Sequence, residues 1–133
     1  MSENKTKVLI VDDEPTCRRV LELALKAKNS DFQILSAGSS SQAIQIIHNY
    51  NISLVVTDLH LGDKDSGFEI CKIIKESENL RHIPVISVSA IEKSEAKPKI
   101  YSDIADSDFH FNKPFNIMEL TDLVKNLLCP AVV

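Results

Sequence analysis

Glycine occurs only three times in this chain, at positions 38, 62 and 67, and tryptophan not at all. Glycines so placed cannot build G-x-G-x-x-G or G-x-x-x-x-G-K-[ST], which excludes the backbone cradles that hold nucleotide phosphates. Cysteine is equally sparse. Cys17, Cys71 and Cys129 are an odd number, far apart and without C-x-x-C, so neither a disulfide framework nor a zinc site is indicated, and plain thiols in a reducing compartment are expected. No apolar run approaches the roughly 20 residues of a membrane helix, and the polar start Met1–Lys7 lacks the apolar stretch of a secretory signal. Long blocks of Lys or Arg are missing as well, and the net charge is −4, so the electrostatic footprint of nucleic-acid binding is lacking. The expectation is a cytoplasmic protein with no direct contact to nucleic acid and none to membrane.

What is present suits one packed domain. The 133 residues are 44% hydrophobic and 26% charged, an ordinary globular composition, and a chain of this length buries roughly two-thirds of its unfolded surface. Short apolar runs at Val8–Val11, Phe32–Ser36, Ile52–Thr57, Ile83–Val88 and Phe109–Phe111 read as buried strands, each too short for a helix. Between them apolar residues recur at helical spacing: Val20, Leu21, Ala24 and Leu25; Ala43, Ile46, Ile47 and Tyr50; Ile70, Cys71, Ile73 and Ile74; and finally Ile117, Leu120, Val124 and Leu127. Ser41, Ser66 and Asn116 stand where helix N-caps are needed, with Glu119 three residues after Asn116 as in a capping box. Pro98 interrupts the segment before the last strand, which predicts a loop and then a short helix starting near it. Strands alternating with helices predict an α/β fold, a doubly wound parallel sheet with right-handed crossovers.

Ligands of such sheets bind beyond the carboxyl ends of the strands. Asp12 and Asp13 follow the first strand, Asp58 the third, Ser89 the fourth and Lys113 the fifth. Singly, each has a plain structural reading: a helix cap, a turn residue, a small polar strand end, a solvated charge. Jointly they place three carboxylates, a hydroxyl and an ammonium at one edge. Clustered carboxylates repel unless a cation holds them, and all-oxygen donors select Mg²⁺ or a similar hard ion. A carboxylate beside such an ion and an ammonium suits acceptance of a phosphoryl group, a reaction governed by positioning and charge neutralisation. On this reading Asp58 is the acceptor, Asp13 a metal ligand, Asp12 acts through a metal-bound water, Ser89 donates to a phosphoryl oxygen and Lys113 balances charge.

The motifs V-D-D-E (11–14), T-D-L-H-L (57–61), V-S-A (88–90) and K-P-F (113–115), in that order, resemble the receiver domain of bacterial two-component response regulators, the CheY-like family. The resemblance runs from about Lys7 to Leu128 and makes residues 1–133 a single receiver domain. It implies a (βα)5 flavodoxin-like fold with strand order 2-1-3-4-5 and Mg²⁺-dependent phosphorylation of Asp58 by a sensor histidine kinase or a histidine phosphotransfer protein. It also implies a metal set of Asp12, Asp13 and Asp58 completed by the backbone carbonyl of His60, slow self-dephosphorylation, and a cis Lys113–Pro114 bond.

Three departures from the family pattern stand out. Gly62 occupies the place where the family has Pro, and Gly67 comes one residue later than its glycine, so the loop 62–67 is expected to be shifted or bulged. His110 stands where the family has a Tyr or Phe that swings inward, leaving a switch role beside Ser89 and an edge-strand surface role both open. The stretch Glu92–Lys99 is irregular in a region the family uses for signalling contacts. His60 and Ile91 correspond to positions that tune phosphoryl lifetime in the family, and an apolar Ile91 is expected to slow the attacking water. The function expected is a phosphorylation-controlled switch, not a turnover enzyme, which reports to a downstream partner protein or an effector domain of a longer chain. The competing reading is a small Mg²⁺-dependent phosphatase with an aspartyl nucleophile.

Overall fold

The computed structural model describes residues 5–61, 67–90 and 107–129. Five parallel strands, β1 (Lys7–Val11), β2 (Gln33–Ala37), β3 (Leu54–Asp58), β4 (Val85–Ser89) and β5 (Phe109–Asn112), form one sheet in the order β2-β1-β3-β4-β5. The described helices are α1 (Pro15–Lys28), α2 (Ser40–Asn49), α3 (Gly67–Glu76) and, after β5, α4 (Ile117–Leu128). This is the α/β doubly wound arrangement and strand order expected. The expected N-cap at Ser66, the loop 62–66, Ile91 and the helix near Pro98 lie outside the described residues.

Alternate residues of each strand go to opposite layers, which is the period of two of an extended chain. Leu9, Val11, Val55 and Val85 pack beneath α2 and α3 with Ala43, Ile47, Ile70 and Ile74. Val8, Ile10, Leu54, Val56, Ile86 and Val88 pack beneath α1 and α4 with Leu21, Leu25, Leu120 and Val124. Because β1, β3 and β4 are covered on both faces, their side chains are apolar nearly throughout. Charge enters only at the ends of these strands, with Lys7 opening β1 and Asp58 closing β3.

Several element ends differ from the sequence reading for local reasons. Helix α2 is capped by Ser39, whose hydroxyl accepts from the Gln42 N–H, and not by Ser41. Asn116 does cap α4, accepting from the Met118 and Glu119 N–H groups. β3 begins at Leu54 because the Ile52 N–H turns back to Tyr50 O, and β4 begins at Val85 because Pro84 has no N–H to give a ladder. Val20, placed by spacing on the core face of α1, is 49% exposed, and Tyr50 lies beyond the last turn of α2 as its exposed C-cap. Among the described residues no helix is long and apolar enough to cross a membrane.

Candidate functional site

The register aligns the strand ends. Val11 pairs with Thr57, Asp58 with Val88, and Ser89 with Asn112, so the residues just past each of these strands emerge at the same edge of the sheet. The ladder runs one residue further: the Asp12 N–H donates to Ala37 O, Leu59 N–H to Val88 O, and Lys113 N–H to Ser89 O at 2.7 Å. Those bonds fix the backbone from which Asp12, Asp58 and Lys113 project.

Lys113 Nζ donates to Asp58 Oδ2 at 2.5 Å and stands 3.7 Å from Asp12 Oδ2. The other oxygen of Asp58, Oδ1, accepts from the His60 N–H at 2.8 Å. Asp12 is tied in the same way: its Oδ1 accepts from the Glu14 N–H at 2.9 Å, and its carbonyl accepts from Arg18 Nη1 at 2.6 Å. Asp12 and Asp58 are 5% and 7% exposed, so two nearly buried carboxylates share one ammonium. Asp13 is exposed beside them, and Ser89 is fully buried at the end of β4. The Lys113–Pro114 bond is cis. Four sequence-expected side chains, Asp12, Asp58, Ser89 and Lys113, thus meet at one edge, with Asp13 on its solvent side.

Electrostatics mark the pair as short of positive charge. Burial pushes the Asp12 carboxyl above the ordinary carboxylate value; the Glu14 N–H and Lys113 oppose this, while Asp58 and Asp13 add to it. Burial alone would lower the Lys113 ammonium, but the hydrogen bond to Asp58 and the charges of Asp58 and Asp12 together raise it. As the side chains stand, no group of three or more His, Cys, Asp or Glu among the described residues is disposed to hold a metal. The donor chemistry nonetheless suits a hard cation. Two buried carboxylates against one ammonium leave surplus negative charge, and oxygen donors are what Mg²⁺ takes.

His60, whose backbone holds Asp58, packs its ring edge-on against Phe68 of α3 at 6.1 Å. His110 is half-buried on β5 with its ring against Ser87, while Phe111 joins the layer beneath α1 and α4 and meets Phe115 edge-on. A pocket of about 420 Å³ lined by Lys5, Lys26, Ser30, Phe32, Gln33 and Ile34 lies at the opposite, N-terminal edge of the sheet and takes no part in this site.

Two contributors were not assigned from sequence. Arg18 gives no local signal, since a basic residue in the second turn of a helix is ordinary. Gly67 did carry one, as a glycine displaced from its customary place. A Cβ on Gly67 would lie 2.1 Å from the Asp58 carbonyl oxygen and 2.7 Å from Leu59 Cα. The first turn of α3 is therefore seated directly on the backbone of the central aspartate.

An open, doubly wound parallel sheet with acidic residues, a buried hydroxyl and a lysine converging on its carboxyl edge defines an α/β protein of the flavodoxin-like kind with a polar site at the sheet edge. Residues 8–125 match the family model of the response regulator receiver domain, and the chain belongs to that family of two-component signalling proteins. Among its relatives, the heme response regulator HssR of Staphylococcus saprophyticus is 32% identical over 124 residues, 92% of this chain and 51% of the relative. The transcriptional regulatory protein ResD of Bacillus subtilis is 34% identical over 125 residues, 94% of this chain and 49% of the relative. The chain thus spans about half the length of the curated relatives it matches. Among solved structures, the signal receiver domain of a DNA-binding response regulator from Colwellia psychrerythraea superposes with a TM-score of 0.79 at 25% identity, covering 92% of this chain and 98% of that one. The response regulator TrrA of Thermotoga maritima, solved in complex with Mg²⁺-BeF, has a TM-score of 0.76 at 25% identity, with the same coverage of 92% and 98%.

Proposed function

We propose that residues 1–133 act as one receiver unit whose Asp58 accepts a phosphoryl group from a sensor histidine kinase or a histidine phosphotransfer protein in a phosphorelay. The observation that carries this is the placement of Asp58: a nearly buried carboxylate held at one oxygen by Lys113 Nζ and at the other by the His60 N–H. A carboxylate oxygen of Asp58 attacks phosphorus, the bond from phosphorus to the donor imidazole nitrogen breaks, and its electron pair stays on that nitrogen. Lys113 neutralises one side of the acceptor throughout, and the Ser89 hydroxyl donates to a phosphoryl oxygen once it is present. Asp12, Asp13, Asp58 and the His60 carbonyl are the groups that would hold Mg²⁺, which when bound offsets charge on the transferring oxygens. Water later attacks phosphorus, the bond from phosphorus to the Asp58 oxygen breaks with its electron pair returning to the carboxylate, and inorganic phosphate leaves, so the chain is an acceptor that resets itself and not a turnover enzyme on free substrates. The modified state switches a surface that docks a downstream protein or effector domain, with no direct contact to nucleic acid, in the cytoplasm. His110 and Ser89 form the switch pair in this reading.

The test is labelling with acetyl phosphate and Mg²⁺, followed by intact-mass spectrometry. The wild type is expected to gain one phosphoryl group, and Asp58→Asn, or the wild type with a chelator, to gain none. A label that survives Asp58→Asn, or sustained turnover of phosphate esters without label, would overturn the assignment.

A further inference from the structure

Two positions before Ser89 a second hydroxyl lies inside the sheet. Ser87 is fully buried at a place where a central parallel strand ordinarily carries Val or Ile. Its neighbours Ile86 and Val88 belong to the layer beneath α1 and α4, so Ser87 faces the other side. There it is in register with Thr57 on β3 and His110 on β5. Ser87 Oγ is 2.7 Å from His110 Nδ1, 2.8 Å from Ser107 Oγ and 3.4 Å from Phe109 O, and His110 Nε2 is 3.1 Å from Asn112 Oδ1.

Hydrogen-bond chemistry gives these contacts a direction. With the Asn112 carboxamide oxygen turned to the ring, as it stands here, Nε2 carries the ring proton because that oxygen only accepts, and Nδ1 of the neutral ring is then an acceptor. The single Ser87 hydroxyl proton then goes to Nδ1 at 2.7 Å and not to Phe109 O, which lies farther off at 3.4 Å, and the Ser87 oxygen accepts from the Ser107 hydroxyl. Both ring nitrogens are thereby engaged, one from the neighbouring strand and one from β5 itself. Buried polar groups in such a network are costly when half-satisfied and orienting when complete.

We infer that Ser87 is a positioning residue whose hydroxyl holds His110 in the Nε2–H tautomer and against β4, anchoring the side chain at the switch position to the strand that ends in Ser89. The inference rests on the receiver reading for the meaning of that position, though not for the contact itself. An aromatic side chain there would be held by packing and free to slide, whereas a directed bond gives the imidazole one orientation and one protonation pattern.

The full chain carrying ¹⁵N-labelled histidine tests this by NMR, with His110→Asn identifying the ring signals. Ser87→Val keeps the side-chain bulk near that of Ser87→Thr while removing the hydroxyl. The wild type and Ser87→Thr are expected to show Nε2 protonated and Nδ1 not. Ser87→Val is expected to show a mixture of tautomers and about fivefold faster modification of His110 by diethyl pyrocarbonate, the equivalent of the roughly 1 kcal/mol that one neutral hydrogen bond contributes. Should Ser87→Val fail to fold, Ser87→Ala is read the same way. An Nδ1–H tautomer in the wild type, or a folded hydroxyl-free variant whose ring matches the wild type in tautomer and reactivity, overturns the inference. No phosphoryl donor enters the experiment, so its failure is distinct from failure of Asp58 to take a label, which would overturn the receiver reading and leave the Ser87 contact standing.

Discussion

Replacing Gly67 by Ala tests whether the packing of α3 on β3 positions the acceptor. The new Cβ would sit 2.1 Å from the Asp58 carbonyl oxygen and 2.7 Å from Leu59 Cα, against ordinary contacts of 3.4–4 Å. Both obstacles are backbone, so neither rotates away, and helix and strand must part by about 1 Å. Overpacking of this kind costs about 1–3 kcal/mol, and rigid neighbours put this case near the upper end. Gly67 is the first residue of α3 and not in the helix interior, so alanine regains only the roughly 0.4–1 kcal/mol that comes from restricting the unfolded chain. The net expectation is a loss of about 2 kcal/mol, or on the order of 8 °C in melting temperature for a domain of this size. Because the displaced atoms include the Asp58 carbonyl, phosphorylation should also slow, by roughly tenfold to a hundredfold for a shift approaching 1 Å. Gly38→Ala is the internal control. Its Cβ would meet side-chain ends and no backbone, Arg18 Nη1 at 3.2 Å and Gln42 Oε1 at 3.7 Å; Arg18 Nη1 is held on the Asp12 carbonyl and needs to give only a few tenths of an ångström, so the change should stay within about 1 kcal/mol of wild type. Urea denaturation and the rate of acetyl phosphate labelling read both effects. A Gly67→Ala protein with wild-type stability and labelling rate, or a Gly38→Ala protein equally damaged, would refute the reasoning.

Two further outcomes are expected from other parts of the fold. Asp108 Oδ2 accepts from the Val85 N–H at 2.7 Å and from Lys75 Nζ at 2.6 Å, tying β4 and α3 to the start of β5; Asp108→Ala leaves a fully buried residue's N–H without its acceptor and should cost about 1.5–3 kcal/mol in urea denaturation. Asp108→Asn, which keeps an acceptor, should cost clearly less, and equal losses would refute the assignment. Burial holds the His110 imidazole below its ordinary value of 6.5, opposed by the Asn112 hydrogen bond. The unfolded chain therefore binds more protons in the window just below 6.5, and stability present above that pH is lost as pH falls through the folded-state value. Thermal melts across this window should fall more steeply for the wild type than for His110→Asn, and superimposable slopes would exclude the effect.

Much of the architecture was legible in the residue order because its cause is local. Runs such as Val8–Val11 and Leu54–Val56 are continuously apolar because both faces of a parallel sheet are covered, and Asp12, Asp58, Ser89 and Lys113 stand out because polar groups gather where the strands end, with Ser87 the buried exception inside β4. The α4 cap at Asn116 was readable for the same reason, since a cap acts within three residues. The α2 cap was displaced by two positions, because Ser39, Ser40 and Ser41 are equivalent by type and only the path of the chain out of β2 selects among them.

Sequence by itself thus determined the order of the described strands and helices, to within a residue or two at their ends, and which polar groups arrive at the ends of strands. Tertiary structure alone decided their partners: that Lys113 bonds Asp58 and stands farther from Asp12, that His110 turns to Ser87, and that Gly67 is pressed against the carbonyl of Asp58. Periodicity along a chain reports what must be buried or capped nearby. Contacts between residues 9, 23 or 55 positions apart depend on register and on angstrom-scale approach between elements, and no local pattern encodes those.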